Sequence, residues 1–366
     1  MTTKQDVSPC DIEHKLVEIC DQLQGTNKMR ACLFNMIIFT ASEKRADYLH
    51  KITQKLIEKF PSRIIFITID GEPEQVKTTV SVIDSGEEST SIVCDLITID
   101  LGKNKEKLAP FIAVPQILPD LPVYLLWGDD PNIENQVAAT LEKYVTRIIY
   151  DSETTTHLGK FAKTVLNHAA TSKADFADLN WGRIEGWRHI LADIFHNPSH
   201  QVHFGEMKEI HVEYNNREKT HVVHQQVQAF YLQTWLATQL GWKIQTFGKD
   251  DDQNICISYD NNGHATSAFL TPSNRPDIAG GRILSITMIT EKEEKMVFTR
   301  HKDKPHIVLF QLSTPDHCDV PTEFIFDRYE SGLSATKEIS RKGTSVHLRR
   351  LFEVLAEHEN EPELQL

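Results

Sequence analysis

The stretch ACLFNMIIFT at residues 31–40 decides how the first half of the chain is read. It is almost continuously apolar, the pattern of a strand buried on both faces, and such strands belong to parallel sheets covered by helices. The residues after it have helical spacing. Ser42 stands at an N-cap position, and Leu49, Ile52, Leu56, Ile57 and Phe60 recur on one face up to Pro61. A second β-branched run, RIIFITID at 63–70, comes next, and 92–100 reads the same way. The run PVYLLW at 122–127 predicts another buried strand. Gly128-Asp129-Asp130-Pro131 then predicts a turn, an N-cap and a proline in the first helical turn. The helix expected after it carries Ile133, Val137, Leu141 and Tyr144 on one stripe, and RIIY at 147–150 reads as a short strand. This alternation predicts an α/β N-terminal domain with a mostly parallel sheet flanked by helices.

The second half changes character. Residues 155–196 read as mainly helical, with a break near 171–180. A strand is expected at 207–214 and a long helix over 223–240, with Val227, Phe230, Tyr231, Trp235 and Leu240 on its apolar face and Gly241 as C-cap. Short alternating strands follow at 255–259, 282–290, 295–300 and 306–312, and Asn262-Gly263 is a hairpin signal. A last helix carries Val346, Leu348, Leu351, Phe352 and Leu355, and the acidic tail 357–366 reads as frayed. The second half is therefore expected to be an α+β C-terminal domain with an antiparallel sheet. The boundaries expected are an α/β domain over 1–170, a helical junction over 171–205 and an α+β domain over 206–366.

Composition narrows the function classes. The 366 residues carry 52 acidic and 39 basic side chains, a net charge of −13. A general nucleic-acid binder needs the opposite sign. No run approaches the ~20 apolar residues of a membrane helix. The first residues lack the apolar core of a signal peptide, so a cytoplasmic location and no membrane partner are expected. The six cysteines form no C-x-x-C pair and read as reduced, mostly buried thiols.

Sheets of this class bind ligands at the carboxyl ends of their strands. Thr40 and Ser42, at the start of a helix, could hold an anion there, and Arg63 is the next available anion ligand; the plain alternative is an ordinary helix cap. Asp129 and Asp130 suit a helix N-terminus but repel a phosphate. No G-x-G-x-x-G follows a strand and no phosphate-binding G-x-x-x-x-G-K-[ST] occurs, so no nucleotide cofactor is expected. His221 and His224 could face one metal at i, i+3 on a helix, but no third ligand accompanies them, and no metal is expected. Neither G-x-S-x-G nor His-Glu-x-x-His is present. The densest unusual segment is Asp178-Leu-Asn-Trp-Gly-Arg-Ile-Glu-Gly-Trp-Arg188. Trp181, Arg183, Trp187 and Arg188 are the residue types of interface hot spots. Read structurally, Asp178 or Asn180 caps a helix, the indoles fill a domain junction and the arginines pair with internal carboxylates.

Several stretches in one order resemble the glucose-6-phosphate dehydrogenase assembly protein family, OpcA. They are Phe60-Pro61-Ser62-Arg63, the strand Leu121-Pro-Val-Tyr-Leu-Leu-Trp127-Gly128, Asp151-Ser152, the Asp178–Arg188 segment as Asp-Leu-x-Trp-x-Arg-x-x-x-Trp-Arg, and Thr234-Trp-Leu-Ala237 through Leu240-Gly-Trp242. The resemblance covers roughly residues 30–310. It implies a non-enzymatic partner of glucose-6-phosphate dehydrogenase, at the oxidative branch of the pentose phosphate pathway, acting as assembly factor or allosteric activator by protein–protein binding without a cofactor. The rival reading from the residues is a sugar-phosphate-binding enzyme or metabolite sensor using the N-terminal sheet.

Overall fold

The computed structural model describes residues 4–22, 28–84, 91–219, 221–252, 254–326 and 333–365. The chain forms two compact units, one of residues 1–154, 164–179 and 331–344, the other of residues 155–163, 180–330 and 345–366.

The sheet of the first unit contains β1 (Gln5–Val7), β2 (Lys28–Arg30), β3 (Asn35–Thr40), β4 (Arg63–Gly71), β5 (Val76–Asp84), β6 (Ser91–Gly102), β7 (Val123–Trp127), β8 (Arg147–Tyr150) and β9 (Asp175–Asp178). The strands β6-β4-β3-β7-β8-β9 lie side by side and are all parallel. Numbered by their order along the chain, they run 3-2-1-4-5-6, the doubly wound arrangement. The helices tied to this unit are α1 (Ile12–Gln22), α2 (Glu43–Lys59), α3 (Ala109–Ala113), α4 (Gln136–Leu141) and α5 (Leu158–Ser172), of which α5 runs from the second unit into the first.

The apolar runs explain the core. All six residues of β3 are buried, as are the first seven of β4. Leu49, Ile52, Leu56 and Ile57 of α2 close over Met36, Ile38, Ile64 and Phe66. Each such side chain contributes roughly 1.5–3 kcal/mol on burial. The helix stops at Phe60, whose extended backbone is what a residue before proline favours.

Several sequence expectations are corrected in this unit. The first buried strand begins at Asn35, not at residue 31. The sheet is mostly parallel as expected, with β5 and β1 pairing antiparallel at one side. The break at 171–180 holds β9, the last parallel strand. The helix after β7 starts at Gln136, capped by Asn135, whose Oδ1 accepts from Val137 and Ala138 N–H at 2.9 and 3.0 Å. Asp130 instead closes a local turn, accepting from Asn132 N–H at 3.0 Å. Ile133 and Tyr144 therefore lie outside any buried stripe and are exposed.

In the second unit, α6 (Leu179–Arg183), α7 (Glu185–Phe195) and α8 (Pro198–Gly205) precede a sheet. Its strands are β10 (Met207–Asn215), β11 (Lys243–Lys249), β12 (Ile255–Asn261), β13 (His264–Ser273), β14 (Ile283–Thr290), β15 (Lys295–Arg300), β16 (Ile307–Ser313) and β17 (Thr322–Ile325), in the order β11-β12-β13-β10-β14-β15-β16-β17. Burial alternates strictly along β12, as expected for a sheet with one packed face. The expectation of an antiparallel sheet holds except at its centre, where β10 and β13 run parallel. Asn262 and Gly263 both take positive φ, 52° and 95°, which a two-residue hairpin turn with native twist requires. Helix α9 (Val227–Leu240) is buried all round from Val227 to Ala237 and ends at Gly241, φ 71°. It starts four residues later than expected, so His221 and His224 precede it and do not share a helix face.

The end of the chain also differs. Helix α10 (Leu333–Ser340) belongs to the first unit, where Ala335 and Ile339 join the cluster under α2. This separates residues 331–344 from the expected 206–366 domain, and the expected 171–205 junction divides between the two units after Leu179. Helix α11 (Val346–Glu357) buries Leu348, Leu351, Phe352 and Leu355, while Val346 points outward. The tail is docked, not frayed: Leu364 is fully buried and Gln365 forms an antiparallel bridge with His157. No helix among the described residues is long and apolar enough to cross a membrane.

His224 gives this packing a pH signature. Its ring is fully buried edge-on to Phe230, and burial drives its pKa from 6.5 down to about 3. Between those values the unfolded chain binds one more proton at this position than the folded chain. Stability from this group is therefore complete above pH 6.5 and falls as the pH drops toward 3, by about 1.4 kcal/mol per unit. Denaturant unfolding at pH 7 and pH 5 should show His224→Phe losing about 2 kcal/mol less than the unsubstituted protein across that interval.

Candidate functional site

In the doubly wound sheet, chain order reverses between β3 and β7, and ligands of such sheets sit outside the carboxyl ends at that point. Two loops meet there, Thr40-Ala41-Ser42 leading into α2 and Gly128-Asp129 leaving β7. The Asp129 carboxylate accepts from Ala41 N–H at 2.6 Å and from Thr40 Oγ1 at 2.8 Å. Thr40 Oγ1 in turn accepts from Ser42 N–H at 3.1 Å. Ser42 holds the N-cap position of α2, but its side chain makes no capping bond. The anion at the start of α2 is thus the chain's own carboxylate. Burial pushes the Asp129 carboxyl up, against the pull of the Ala41 amide, the Thr40 hydroxyl and the Arg45 charge. Gly128 lets the two loops approach: a Cβ there would stand 2.5 Å from Leu49 Cδ1 and 2.8 Å from the Phe39 carbonyl oxygen.

A buried arginine extends this contact along the strand ends. Arg45, on α2, donates from Nε to the Gly128 carbonyl at 3.0 Å and from Nη2 to Asp151 Oδ2 at 2.7 Å. Asp151 directly follows β8. Ser152 donates from its backbone N–H and from Oγ to the two oxygens of Asp178, at 2.9 Å each, and Asp178 ends β9. Asp129, Arg45, Asp151, Ser152 and Asp178 therefore link the carboxyl ends of β3, β7, β8 and β9. Arg45 and the expected residues Asp151 and Asp178 are almost fully buried. Burial of an ion pair stabilises little by itself, but removing one partner strands the other.

Arg63 is not part of this edge. In the β3–β4 register it faces Asn35, whereas Thr40 faces Thr68. Five residues of strand separate the two, about 17 Å at the usual rise. The expected anion set of Thr40, Ser42 and Arg63 is therefore split between opposite ends of the sheet. Arg63 is buried and donates to Asp95 from Nε and Nη2 at 2.9 and 2.8 Å and to the Gln116 carbonyl at 2.9 Å, and it meets Glu13 at 2.9 Å. Arg30 reaches the same Asp95 carboxylate, with Nε at 3.0 Å from Oδ1.

The Trp/Arg segment continues from Asp178 into the second unit. Trp181 and Trp187 are 0 and 1% exposed, so neither indole offers surface to a partner. The Arg188 guanidinium lies 3.4 Å from the Trp181 ring centroid and donates to the Trp181 carbonyl at 3.1 Å. Arg183 donates to Asn180 Oδ1 at 2.8 Å. Trp187 meets the ring of Phe326 at 5.3 Å and the Arg300 guanidinium at 5.1 Å. Arg183 and Arg188 are half-buried. Among the described residues no group of three His, Cys, Asp or Glu side chains could hold a metal ion.

Arg45 escaped the sequence reading although its signal was there. It stands four residues before Leu49 and seven before Ile52, a charge on the apolar stripe of α2.

Comparison with known proteins places these elements in a family. Two models of the OpcA family match, both described as parts of a glucose-6-phosphate dehydrogenase subunit. The model of its N-terminal domain matches residues 53–166, and the model of its C-terminal domain matches residues 174–350. Among curated relatives, the chain is 26% identical over 209 residues to a "Putative OxPP cycle protein OpcA" of Nostoc punctiforme, covering 55% of this chain and 42% of that protein. It is 28% identical over 190 residues to the protein of the same description in Synechocystis, covering 50% and 38%. The match thus spans about two fifths of these relatives' own length. Solved structures with a similar fold include a biliverdin reductase from Synechocystis, with TM-score 0.48, 9% identity and coverage of 91% and 99%. A 3-ketoreductase from Actinomadura kijaniata has TM-score 0.49, 8% identity and coverage of 88% and 96%.

The buried pair gives a direct test. Replacing Arg45 by Met leaves the Asp151 carboxylate buried without its cation, and should cost about 3–5 kcal/mol in denaturant unfolding. Adding Asp151→Asn to that variant should restore part of the loss.

Proposed function

The chain belongs to the OpcA family, and we propose from that membership that it acts on glucose-6-phosphate dehydrogenase as a protein partner, without a reaction of its own. The observation that carries this reading is the ordered match of both family models over residues 53–166 and 174–350, whose descriptions name that enzyme. The strand-end geometry supports it. A dinucleotide's pyrophosphate uses the first helix N-terminus of a doubly wound sheet. Here Asp129 stands at the turn before that N-terminus, accepting from the Ala41 amide and the Thr40 hydroxyl, and its charge repels a phosphate.

The mechanism follows from linkage. An activator must bind the active conformation or oligomer of the dehydrogenase more tightly than the inactive one. A coupling of ~1–3 kcal/mol corresponds to ~5–150-fold in affinity. In this reading, Asp178, Trp181, Arg183, Trp187 and Arg188 serve the partner by fixing the fold that presents the contact surface. The two indoles act from the interior, and the two arginines hold the chain around them. An assembly factor and an allosteric activator differ in persistence: the first leaves its effect behind after removal, the second does not.

Titrating the protein into purified glucose-6-phosphate dehydrogenase of the same source, with NADPH formation followed across substrate concentrations, tests this. A saturable rise in rate or fall in KM is expected, with no turnover by the protein alone. An unchanged rate together with separate elution of the two proteins on a sizing column would refute it.

A further inference from the structure

The last residues of β7 and β8 carry a second polar cluster, which the Asp129 and Arg45 contacts do not use. His168 lies on the part of α5 that belongs to the first unit. Its ring packs on Trp127, the end of β7, with centroids 5.6 Å apart and planes at 26°. Its Nδ1 meets two groups at once. Glu142 Oε1, in the 3-10 turn Glu142–Tyr144 that follows α4, stands 3.1 Å away. The hydroxyl of Tyr150, the end of β8, stands 3.2 Å away. Trp127 and Tyr150 are buried, and the Glu142 and His168 side chains are 12 and 26% exposed. Among the described residues, Glu142 and Tyr150 are the titratable groups in contact with the ring, one from the turn after α4 and one from β8. On α5 itself the residues one turn away, Thr164, Val165, Thr171 and Ser172, are uncharged.

One nitrogen cannot serve both neighbours in the same way. Burial and the Glu142 charge hold the Tyr150 phenol well above its usual range, so it keeps its proton near neutral pH. A neutral ring with its proton on Nε2 lets Nδ1 accept from the Tyr150 hydroxyl. Glu142 Oε1 then faces a lone pair, and among the described residues this buried oxygen has no hydrogen-bond donor. A doubly protonated ring donates from Nδ1 to Glu142, neutralises the carboxylate and lays an imidazolium on the Trp127 indole. Histidine is the side chain whose charge ordinarily changes between pH 5 and 8. We propose that His168 is a proton-operated switch at the ends of β7 and β8, in which uptake of a solvent proton moves Nδ1 from accepting at Tyr150 to donating to Glu142. Trp127 and Tyr150 directly precede Gly128 and Asp151, whose carbonyl and carboxylate Arg45 holds. The switch therefore couples a proton at His168 to the two chain segments that carry the strand-end network.

The test is a nuclear magnetic resonance titration of the ¹⁵N-labelled full chain from pH 8 to pH 5, with the His168 ring signals assigned by their loss in His168→Gln. At pH 8 the Nδ1 signal should be that of an unprotonated acceptor with the proton on Nε2, and on acidification both nitrogens should become protonated. The backbone amide signals of Gly128 and Asp151 should move in the same transition, and should lose that movement in His168→Gln. Glu142→Gln removes the charge that favours the protonated ring and should shift the transition to lower pH. Tyr150→Phe removes the donor that favours the neutral ring and should shift it to higher pH. Each shift should be about half a pH unit or more. A purely structural role for the cluster would not move the transition in opposite directions. Thermal melting of each variant checks folding, and the unsubstituted chain's own titration decides where a variant does not fold. An Nδ1 already protonated at pH 8, a ring in one state across the range, a transition indifferent to Glu142→Gln, or strand-end amides that do not follow it would each overturn the proposal.

Discussion

The structure of the first unit depends on one carboxylate. Where a doubly wound sheet reverses its strand order, the first strand-to-helix turn exposes backbone N–H groups that need an acceptor. Asp129 supplies it from the neighbouring strand end, bonded to the Ala41 amide and the Thr40 hydroxyl. The acceptor is covalently part of the fold, so a free anion would compete with it for the same donors. Arg45 then fixes the Gly128 carbonyl beside it and carries the linkage to Asp151, and Ser152 carries it on to Asp178.

The opposite end of the sheet is organised by the same means. Arg63 and Arg30 converge on Asp95, and Arg63 also meets Glu13. The polar residues that resemble family motifs, Arg63, Asp151, Ser152 and Asp178, are therefore buried partners that lock strand ends. Trp181 and Trp187 belong to the core of the second unit. A residue type suited to interfaces can be retained for packing alone, and solvent exposure separates the two uses.

Much of this was legible in the sequence, and what was missed has physical reasons. Strands β3, β4, β7 and β8 announced themselves as apolar runs, because both faces of a parallel sheet are covered. Strand β9 did not: Asp175-Phe-Ala-Asp178 is four residues long and begins and ends with a carboxylate. Asp130-Pro131 carried the signature of a helix start, yet Asn135 supplies the cap five residues on, with the same side-chain chemistry. The tail looked frayed by composition, but Leu364 is buried and Gln365 bridges His157, which docks it. The anion set of Thr40, Ser42 and Arg63 came apart because spacing along the chain does not tell which end of a strand a residue occupies; the pairing register does.

One unit holds a doubly wound sheet whose reversal point carries the Asp129 carboxylate, the other a mostly antiparallel sheet, in a family tied by description to glucose-6-phosphate dehydrogenase. The central claim is that Asp129 occupies the reversal point from within, and we propose that its charge disfavours a dinucleotide's phosphates there. Calorimetric titration of NADP+ and of NADPH into the chain alone tests it most directly, with Asp129→Ala run alongside. The account predicts no saturable binding by the unsubstituted chain up to about 1 mM, a free energy weaker than roughly −4 kcal/mol. Saturable binding in the micromolar range that survives with Asp129 in place would contradict it.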